Sequence, residues 1–466
     1  ALLDPRPNRW ALPPVELRAT FSRHRGDPHR RLIESDLNTS PRRAAAWSER
    51  FKTAGLWSGG GKFEVSPVRT RAEKSLTELA DQVTAISGQL ERCSDERSAV
   101  SPHARRTLRR LQQKVRQDLA AVEEDREARA DRIDTLCEKI TEAAKDRPVV
   151  QFHNAGGDLV AFVHHRDKTH VHRYVNGART VREFIGRWRF MVERAPYERA
   201  RVNRSALADE QRLLNHIGRW LWRPLEIGSG VRSVLVLPEG EISNLPWQAV
   251  TPNSHPLADD LELVLAPSLR HHIMARQGAT RSRKISVFVG DTRGLPQASQ
   301  EYLVLSELTG KSVDIFNPCR RDDWPNNSRA RVWHYTGHAQ LRADNPFYSS
   351  LRLADGPLFA ADFRLKSNRV SLVTLAACRT GQQASLPGEE STGLVRSLLE
   401  MGAGNVVASH WAVSDQSTVL WMNSFYRNYL SGKSVAAAAR KAGLEVREKY
   451  PSAYNWAAFS VFGAGK

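Results

Sequence analysis

The chain has 466 residues, of which 41% are hydrophobic, and a formal net charge of +18 at pH 7. This length and hydrophobic content predict two or three folded domains and exclude a disordered chain. No apolar run approaches the ~20 residues that a membrane span needs, and the four widely spaced cysteines include no CxxC pair, which argues against a disulfide scaffold or a zinc ribbon. We expect a protein of the reducing cytoplasm that does not contact membranes.

The positive charge lies mainly in the first part of the chain. Residues 284–466 contain 21 Lys and Arg against 15 Asp and Glu, so most of the net charge of +18 is upstream of them. An excess of this kind fits an acidic partner such as a nucleic acid. We prefer a solvated Arg-rich surface, because neither an RNA-binding motif with interleaved aromatic residues nor a zinc finger accompanies the charge.

Two regions precede the first predicted strand. Residues 1–70 are rich in Pro and Arg and have weak periodicity, which predicts an irregular basic segment. Because the chain starts at Ala1 rather than Met, we expect this segment to be the end of a larger upstream region. Residues 71–146 contain apolar side chains at alternating spacings of three and four, which predicts a helical hairpin that serves as an arm or docking surface.

The periodicity changes at Arg147. Residues 149–175 alternate between apolar and polar, which predicts two or three antiparallel strands joined by tight turns. Four histidines in this region suggest a metal site at first sight, but neighbouring histidines of a strand lie on opposite faces and no acidic residue has ligand spacing, so we expect no metal. Two helices near 180–195 and 205–224 and a buried strand at 233–240 follow.

Strands and helices alternate again over residues 284–466. A continuous apolar strand at 284–291 and further strands at 311–316, 331–339, 369–378 and 405–413 are separated by helical segments, which predicts an α/β fold with a mainly parallel sheet flanked by helices. The segment RVWHYTGHA ends near His338, and the segment VSLVTLAACRTG contains Cys378. Because the carboxyl ends of parallel strands share one edge of a sheet, we expect these two side chains to face each other.

A facing histidine and cysteine can perform nucleophilic catalysis. The imidazole raises the fraction of thiolate at pH 7 and can later protonate a leaving amine. A lone strand-terminal cysteine is more often a small buried apolar residue, but Gly337 and Gly381 beside this pair leave room for a substrate. The backbone N–H groups of Ala339 and Cys378 are candidates for an oxyanion hole. His334 is a rival histidine earlier in the same strand.

Several ordered motifs resemble one family. The segments HYTGHA, LAACRTG, GLVRSLLEMGAGNVVASHWAVSD and NWAAFSVFG are similar to the CHAT domain, a relative of the caspase- and separase-like cysteine peptidases of clan CD. The resemblance extends over Arg147–Lys466. It implies a non-catalytic pseudo-protease half at 147–275 and a catalytic caspase-like half at 284–466. It also implies His338 as general base and acid, Cys378 as nucleophile, and neither a metal nor an organic cofactor.

The resemblance also implies how substrate binds. The segment SHWAVSD, with His410 and Trp411, matches the position where separase-like enzymes pair with the substrate backbone, and an acidic residue at the floor of the S1 pocket follows. Asp415 is therefore the candidate for binding a P1 Arg or Lys. Asp415 can equally be the N-cap of the next helix, and Glu389 and Glu390 are alternative acidic groups. An aliphatic residue is common in the family at the position of His410.

We expect a cysteine endopeptidase that cleaves a protein after Arg or Lys and is gated by a partner that the helical region senses. The main alternative is a catalytically silent CHAT-like scaffold that binds protein or, through the basic N-terminal region, nucleic acid. A transferase or non-proteolytic hydrolase with the same Cys378 and His338 is a third possibility.

Overall fold

The structure is a computed structural model. It describes the following residues: 28–52, 132–195, 204–293, 295, 298–309, 313–324, 329–342, 346–364, 366, 368–377, 380–381, 384–385, 391–466, and isolated positions between 74 and 117. Within them, no helix is long and apolar enough to cross a lipid bilayer.

Thirteen helices are defined among the described residues. In chain order they are α1 Pro28–Asp36, α2 Pro41–Lys52, α3 Ile133–Ala143, α4 Gly177–Arg194, α5 Arg204–Ile217, α6 Leu257–Asp260, α7 Leu269–Gln277, α8 Ala298–Thr309, α9 Ala360–Arg364, α10 Leu394–Met401, α11 Asp415–Leu430, α12 Val435–Lys449 and α13 Ala453–Trp456. A π-helical turn at Gly218–Trp222 and a 3₁₀ turn at Arg223–Leu225 extend α5.

The strands belong to one large sheet and two small ones. In chain order they are β1 Val149–Ala155, β2 Asp158–His165, β3 Lys168–Tyr174, β4 Ser233–Leu237, β5 Glu262–Leu265, β6 Ile285–Val289, β7 Val313–Phe316, β8 Arg329–Thr336, β9 Ala339–Gln340, β10 Ser350–Leu353, β11 Gly356–Phe359, β12 Arg369–Ala376, β13 Ala384–Ser385, β14 Ser391–Thr392, β15 Asn405–Ser409 and β16 Phe459–Gly463.

The large sheet has eleven strands in the order β3-β2-β1-β4-β5-β16-β15-β12-β8-β6-β7. The sheet contains two sets of parallel strands. One set is β1-β4-β5-β16, and the other is β15-β12-β8-β6-β7. The C-terminal strand β16 joins the two sets, because it pairs antiparallel with β15 and parallel with β5. The sheet is therefore continuous across both parts of the chain.

Most of the predicted elements are present, with small shifts at their ends. The three antiparallel strands expected over 149–175 are β1 to β3, and the parallel strands expected from residue 284 onwards are β6, β7, β8, β12 and β15. The segment 405–413 forms a shorter strand than predicted, since β15 ends at Ser409. Strands β10 and β11 form a hairpin that the sequence did not predict.

The prediction of an irregular segment over residues 1–70 is wrong for its described part, which contains α1 and α2. Ala44, Ala45 and Ala46 of α2 are fully buried and belong to a core cluster with side chains of β1, β2 and β4. Helices this short are stabilised mainly by tertiary packing rather than by local propensity. Of the helical hairpin predicted over 71–146, most residues lie outside the described ones.

Candidate active site

Strands β8 and β12 bring two chain segments to one edge of the sheet. They pair in parallel register, with Ala376 opposite Thr336 at their carboxyl ends. His338 follows Thr336 by two residues. Cys378 follows Ala376 by two residues in the sequence and lies outside the described residues. The carboxyl ends of β8 and β12 form the sheet edge at which we expected the side chains of His338 and Cys378 to lie.

The backbone of His338 is bound on both sides. Its N–H donates to the carbonyl oxygen of Asp291 at 2.8 Å, and its own carbonyl oxygen accepts from the N–H of Arg352 at 2.9 Å. The hydroxyl of Tyr335 lies 2.7 Å from the His338 carbonyl oxygen and 2.9 Å from that of Arg352. Gly337 has a φ of +147°, which a side chain rarely allows, so glycine is needed where the chain turns into His338.

The imidazole of His338 is oriented by a backbone carbonyl. Its Nε2 lies 2.7 Å from the carbonyl oxygen of Arg293, which can only accept a hydrogen bond. Nε2 must therefore carry the hydrogen, and Nδ1 is the atom left to accept or deliver a proton. An anchored ring with one basic nitrogen is the arrangement that a general base needs.

A carboxylate stands beside this ring. Asp291 accepts from the Nε and Nη2 of Arg293 at 3.0 and 2.9 Å, and this pairing lowers the pKa of Asp291 to about 2, with the His338 ring as a smaller contribution. Asp291 is consequently ionised at neutral pH, and its negative charge lies near the His338 ring. Asp291 and Arg293 were not among the predicted site residues, although the segment GDTRG directly after β6 contains both.

The described residues on either side of Cys378 are tied to the end of β15. The hydroxyl of Ser409 donates to the carbonyl oxygen of Ala377 at 2.7 Å, and the N–H of Gly381 donates to the carbonyl oxygen of Ser409 at 2.7 Å. The buried hydroxyl of Thr380 also donates to Ala377, at 3.1 Å. These bonds fix the chain immediately before and shortly after Cys378.

Ala339 lies in β9, opposite Leu351 of β10. The bond from Arg352 to His338 places the hydrogen-bonded pairs of this ladder at 338–352 and 340–350, because such pairs alternate in antiparallel strands. The N–H of Ala339 is therefore directed away from β10 and is available to a ligand.

The rival histidine, His334, is inaccessible. Its side chain is fully buried, with Nδ1 2.8 Å from the hydroxyl of Tyr426 and Nε2 3.7 Å from a carboxylate oxygen of Glu301. Burial raises the pKa of Glu301, and the neighbouring His334 opposes that shift. These groups lie beneath the sheet edge, where no substrate reaches them.

Asp415 is the first residue of α11, and Ser414 is the N-cap. The alternative role of Asp415 as N-cap is therefore wrong, although a carboxylate in the first turn favours the helix through its dipole. The side chain is partly exposed and close enough to Glu301 to raise the pKa of that carboxyl group. The other acidic candidates, Glu389 and Glu390, lie outside the described residues.

His410 and Trp411, which we predicted to belong to the substrate-binding segment, have buried side chains. Nε2 of His410 lies 2.9 Å from the Ser460 hydroxyl, and burial lowers the pKa of His410 to about 4. The indole of Trp411 donates to the Tyr454 carbonyl oxygen at 2.8 Å. Both side chains fill the space against β16 and α13, and the N–H of His410 donates to the carbonyl oxygen of Ala458 at 2.9 Å.

The cysteines within the described residues, Cys137 and Cys319, have thiols with a raised pKa. Cys319 is buried, which raises its pKa to about 12, and burial also raises the pKa of Cys137. A thiol with a raised pKa is a poor nucleophile at neutral pH, because only the thiolate attacks. Cys319 follows β7 and lies at the carboxyl end of β6, where its N–H donates to the Val289 carbonyl oxygen at 2.7 Å.

We expect Gly290→Ala to lower the free energy of unfolding by about 1–3 kcal/mol, the usual cost of overpacking. A Cβ atom at Gly290 would lie 2.3 Å from the carbonyl oxygen of Arg352 and 2.5 Å from the Tyr335 hydroxyl, the groups that hold His338. Urea denaturation measures the effect. The control is Gly228→Ala, whose Cβ would meet nothing within 4 Å. Equal midpoints for the two variants would contradict the close packing described.

Comparison with known proteins agrees with this fold. A chain of the Saccharomyces cerevisiae separase–securin complex aligns with a TM-score of 0.51 and 11% identity, and a second crystal structure of that complex aligns with a TM-score of 0.50 and 11% identity. Each alignment covers 98% of this chain and 37% of the longer one. The Arg-specific cysteine proteinase gingipain R aligns with a TM-score of 0.36 and 10% identity, over 57% of this chain and 68% of its own.

These identities show likeness of fold alone. The prediction of a caspase-like, mainly parallel sheet flanked by helices is confirmed. Curated proteins gave no significant match. Residues 211–464 match the model of the CHAT domain, which is more than half of the sequence. The chain therefore belongs to the CHAT domain family.

Proposed function

We propose that this protein is a cysteine endopeptidase with Cys378 as nucleophile and His338 as general base and acid. The observation that supports it best is the anchored imidazole of His338 at the shared strand edge, with Nε2 bound to the Arg293 carbonyl oxygen and Nδ1 free. The parallel register of β8 and β12 supports pairing these two residues, because each follows its paired strand end by two positions in the sequence.

The proposed reaction has two halves. Nδ1 of His338 takes the proton of the Cys378 thiol, and the thiolate attacks the carbonyl carbon of the scissile peptide bond. The C–N bond breaks, Nδ1 delivers its proton to the departing amine, and a thioester remains on Cys378. A water molecule, deprotonated by the same nitrogen, then hydrolyses the thioester to a carboxylic acid and regenerates the thiol.

The oxyanion of each tetrahedral intermediate needs hydrogen-bond donors to stabilise its negative charge. We assign this role to the backbone N–H groups of Ala339 and Cys378. The outward direction of the Ala339 N–H supports its part in the assignment.

We assign the P1 preference to Asp415, with a substrate Arg or Lys as its partner. A partly exposed carboxylate at the first turn of α11, next to the end of β15, is the support for this assignment. A charge-assisted hydrogen bond to a desolvated cation would select a basic side chain. The backbone of the segment that follows Trp411 would pair with the substrate chain, since the side chains of His410 and Trp411 are buried and the His410 N–H is bound to Ala458.

We further propose that a protein partner gates the activity in the reducing cytoplasm, where a thiol nucleophile persists. The separase neighbour was crystallised with securin, which gives a precedent for a chain of this fold held by a partner. The helices α1 to α3, packed on the non-catalytic part of the sheet, are candidates for receiving such a signal.

Cleavage of a peptide library, read by mass spectrometry, tests the proposal. The intact protein is compared with Cys378→Ala, alone and with a lysate of its host. We expect cleavage after Arg or Lys that disappears in the variant. Absence of any Cys378-dependent cleavage under both conditions would favour the catalytically silent scaffold. Salt-sensitive binding of the protein to nucleic acid would then identify nucleic acid as the partner of that scaffold.

A further inference from the structure

A group of charged side chains is buried where α2 meets the ends of β1 and β4. The Nζ of Lys52 lies 3.5 Å from a carboxylate oxygen of Glu239 and donates to the carbonyl oxygen of Leu237 at 3.3 Å. Glu239 also accepts from the N–H of Asn154 at 2.9 Å and lies 3.3 Å from the ring of His153. The side chains of Lys52, His153 and Glu239 are at most 4% exposed. The last turn of α2 is therefore held in the interior by several charged contacts.

Glu49, one turn earlier in α2, binds the start of α7. Its carboxylate accepts from the N–H of Arg270 at 3.1 Å and from that of Leu269, the first helical residue. A carboxylate at a helix N-terminus interacts favourably with the exposed N–H groups and with the helix dipole. Burial raises the pKa of Glu49, and the charge of Lys52 opposes that rise. The contact fixes α2 to α7.

The N-cap of α7 continues the chain of contacts. The hydroxyl of Ser268 lies 2.7 Å from Nδ1 of His271, and Nε2 of His271 lies 3.4 Å from a carboxylate oxygen of Glu400 in α10. The same oxygen accepts from Nε of Arg396 at 3.1 Å. Burial lowers the pKa of His271, and the Ser268 hydroxyl contacts both Nδ1 of His271 and the carboxylate of Glu49.

These contacts end at helix α10, which follows the segment that contains Cys378 in the sequence. Helix α10 starts at Leu394, directly after Gly393 with a φ of +152° and the short strand β14 at Ser391–Thr392. That strand pairs with β13 at Ala384–Ser385, and both lie between Cys378 and α10 in the sequence. A displacement of α10 therefore acts on the chain that leads back towards Cys378.

We propose that Glu49, Ser268, His271, Glu400 and Arg396, here called the relay, are positioning residues that couple the docking of α2 to the position of β14 and α10, which follow Cys378 in the sequence. A buried ionic group contributes little net stability compared with apolar side chains, and it is demanding in geometry, so it suits an element that must be held in one position. The consequence for catalysis rests on the proposed function. The coupling itself does not.

Hydrogen exchange tests the coupling independently of any enzymatic activity. In Glu49→Gln we expect the exchange of backbone amides over residues 391–401 to accelerate about 3- to 30-fold, the range that corresponds to ordinary coupling energies. The control is Glu34→Gln, a change of the same charge at an exposed position of α1. Acceleration confined to α2 and the start of α7 would overturn the proposal.

A double-variant comparison sharpens the test. If Glu49 and Glu400 act through one relay, Glu49→Gln/Glu400→Gln accelerates exchange no more than the stronger single variant does, whereas independent effects multiply. Multiplicative effects would overturn the proposal. Thermal melting checks that each variant is folded, and Ser268→Ala breaks the same relay with a smaller change if a glutamine variant does not fold.

Peptide cleavage then tests the link to catalysis. We expect the relay variants to lower kcat about 3- to 30-fold while KM changes less than about twofold, because a positioning residue does not touch the substrate. If the wild-type protein cleaves nothing, the proposed function fails and the exchange experiments still decide the coupling. If cleavage depends on Cys378 but the relay variants match the Glu34→Gln control, the positioning role in catalysis is wrong.

Discussion

His338→Ala is expected to lower kcat for Cys378-dependent cleavage by about 10³-fold, within the range that removal of a general acid and base usually gives. The reason is the position of this ring, whose Nε2 is held by the Arg293 carbonyl oxygen at 2.7 Å while Nδ1 remains free. Removing the ring leaves no base for the thiol and no acid for the leaving amine. KM should change little, because the imidazole contributes to the transition state rather than to binding.

A matched control separates this effect from a loss of structure. His170→Ala removes an exposed histidine of β3, on the part of the sheet that carries no proposed catalytic residue, and should leave kcat unchanged. His334 is unsuitable as a control, because its buried ring contacts Tyr426 and its loss would disturb the core.

Alkylation of Cys378 gives a second readout for the same variant. Iodoacetamide reacts with the thiolate, so loss of the His338 ring should slow labelling of the peptide that contains Cys378 at pH 7. Cys319, with a pKa raised to about 12, is an internal reference that should label slowly in both proteins. An unchanged labelling rate together with unchanged kcat would remove His338 from the proposed mechanism.

Asp415→Asn is expected to reduce kcat/KM for substrates with Arg or Lys at P1 by about 10²- to 10³-fold, the usual consequence of removing one partner of a desolvated charge pair. The amide keeps the shape of the carboxylate but loses its charge, so a substrate cation would be left without compensation. A peptide with an uncharged P1 residue should be cleaved at least as well as by the wild-type protein, which makes the ratio of the two substrates the decisive quantity.

The helix that Asp415 begins provides the check on stability. Loss of a first-turn carboxylate should cost only about 0.3–1 kcal/mol through the helix dipole, so the protein remains folded. Asp314→Asn on the exposed edge strand β7 is a control with the same chemical change. If P1 preference survives in Asp415→Asn and disappears in Glu390→Gln instead, the specificity belongs to the second acidic candidate.

Local patterns were sufficient for the strands that carry the site. Each of the runs that became β6, β8 and β12 is rich in apolar residues, as a strand covered on both faces requires, and the ends of β8 and β12 were predicted to within three residues. The order of family motifs then indicated which strand ends bear the catalytic candidates. His338 could be preferred over His334 because it lies beyond the strand, and the buried ring of His334 agrees with that choice.

Contacts between distant residues were beyond the reach of these patterns. The ring of His338 is oriented by a carbonyl group 45 residues earlier, and a backbone carbonyl leaves no mark in the sequence. His410 and Trp411 stood next to a predicted substrate site, yet β16 and α13, almost 50 residues later, bury their side chains. The charges of α2 look like a solvated basic surface until the strands that enclose Glu49 and Lys52 are known.

The sequence by itself determined the α/β class, the parallel arrangement of the second part of the chain, the family, and the two strand ends that carry a histidine and a cysteine, because hydrophobic periodicity and short motifs report what each residue does locally. Only the tertiary structure decided which nitrogen of His338 is free, which side chains of the 410–415 segment remain accessible, how β16 unites the sheet, and that buried charges connect α2 to α10. Those features depend on groups brought together from far apart in the chain, and their energies arise from burial and hydrogen-bond geometry that exist only once the chain has folded.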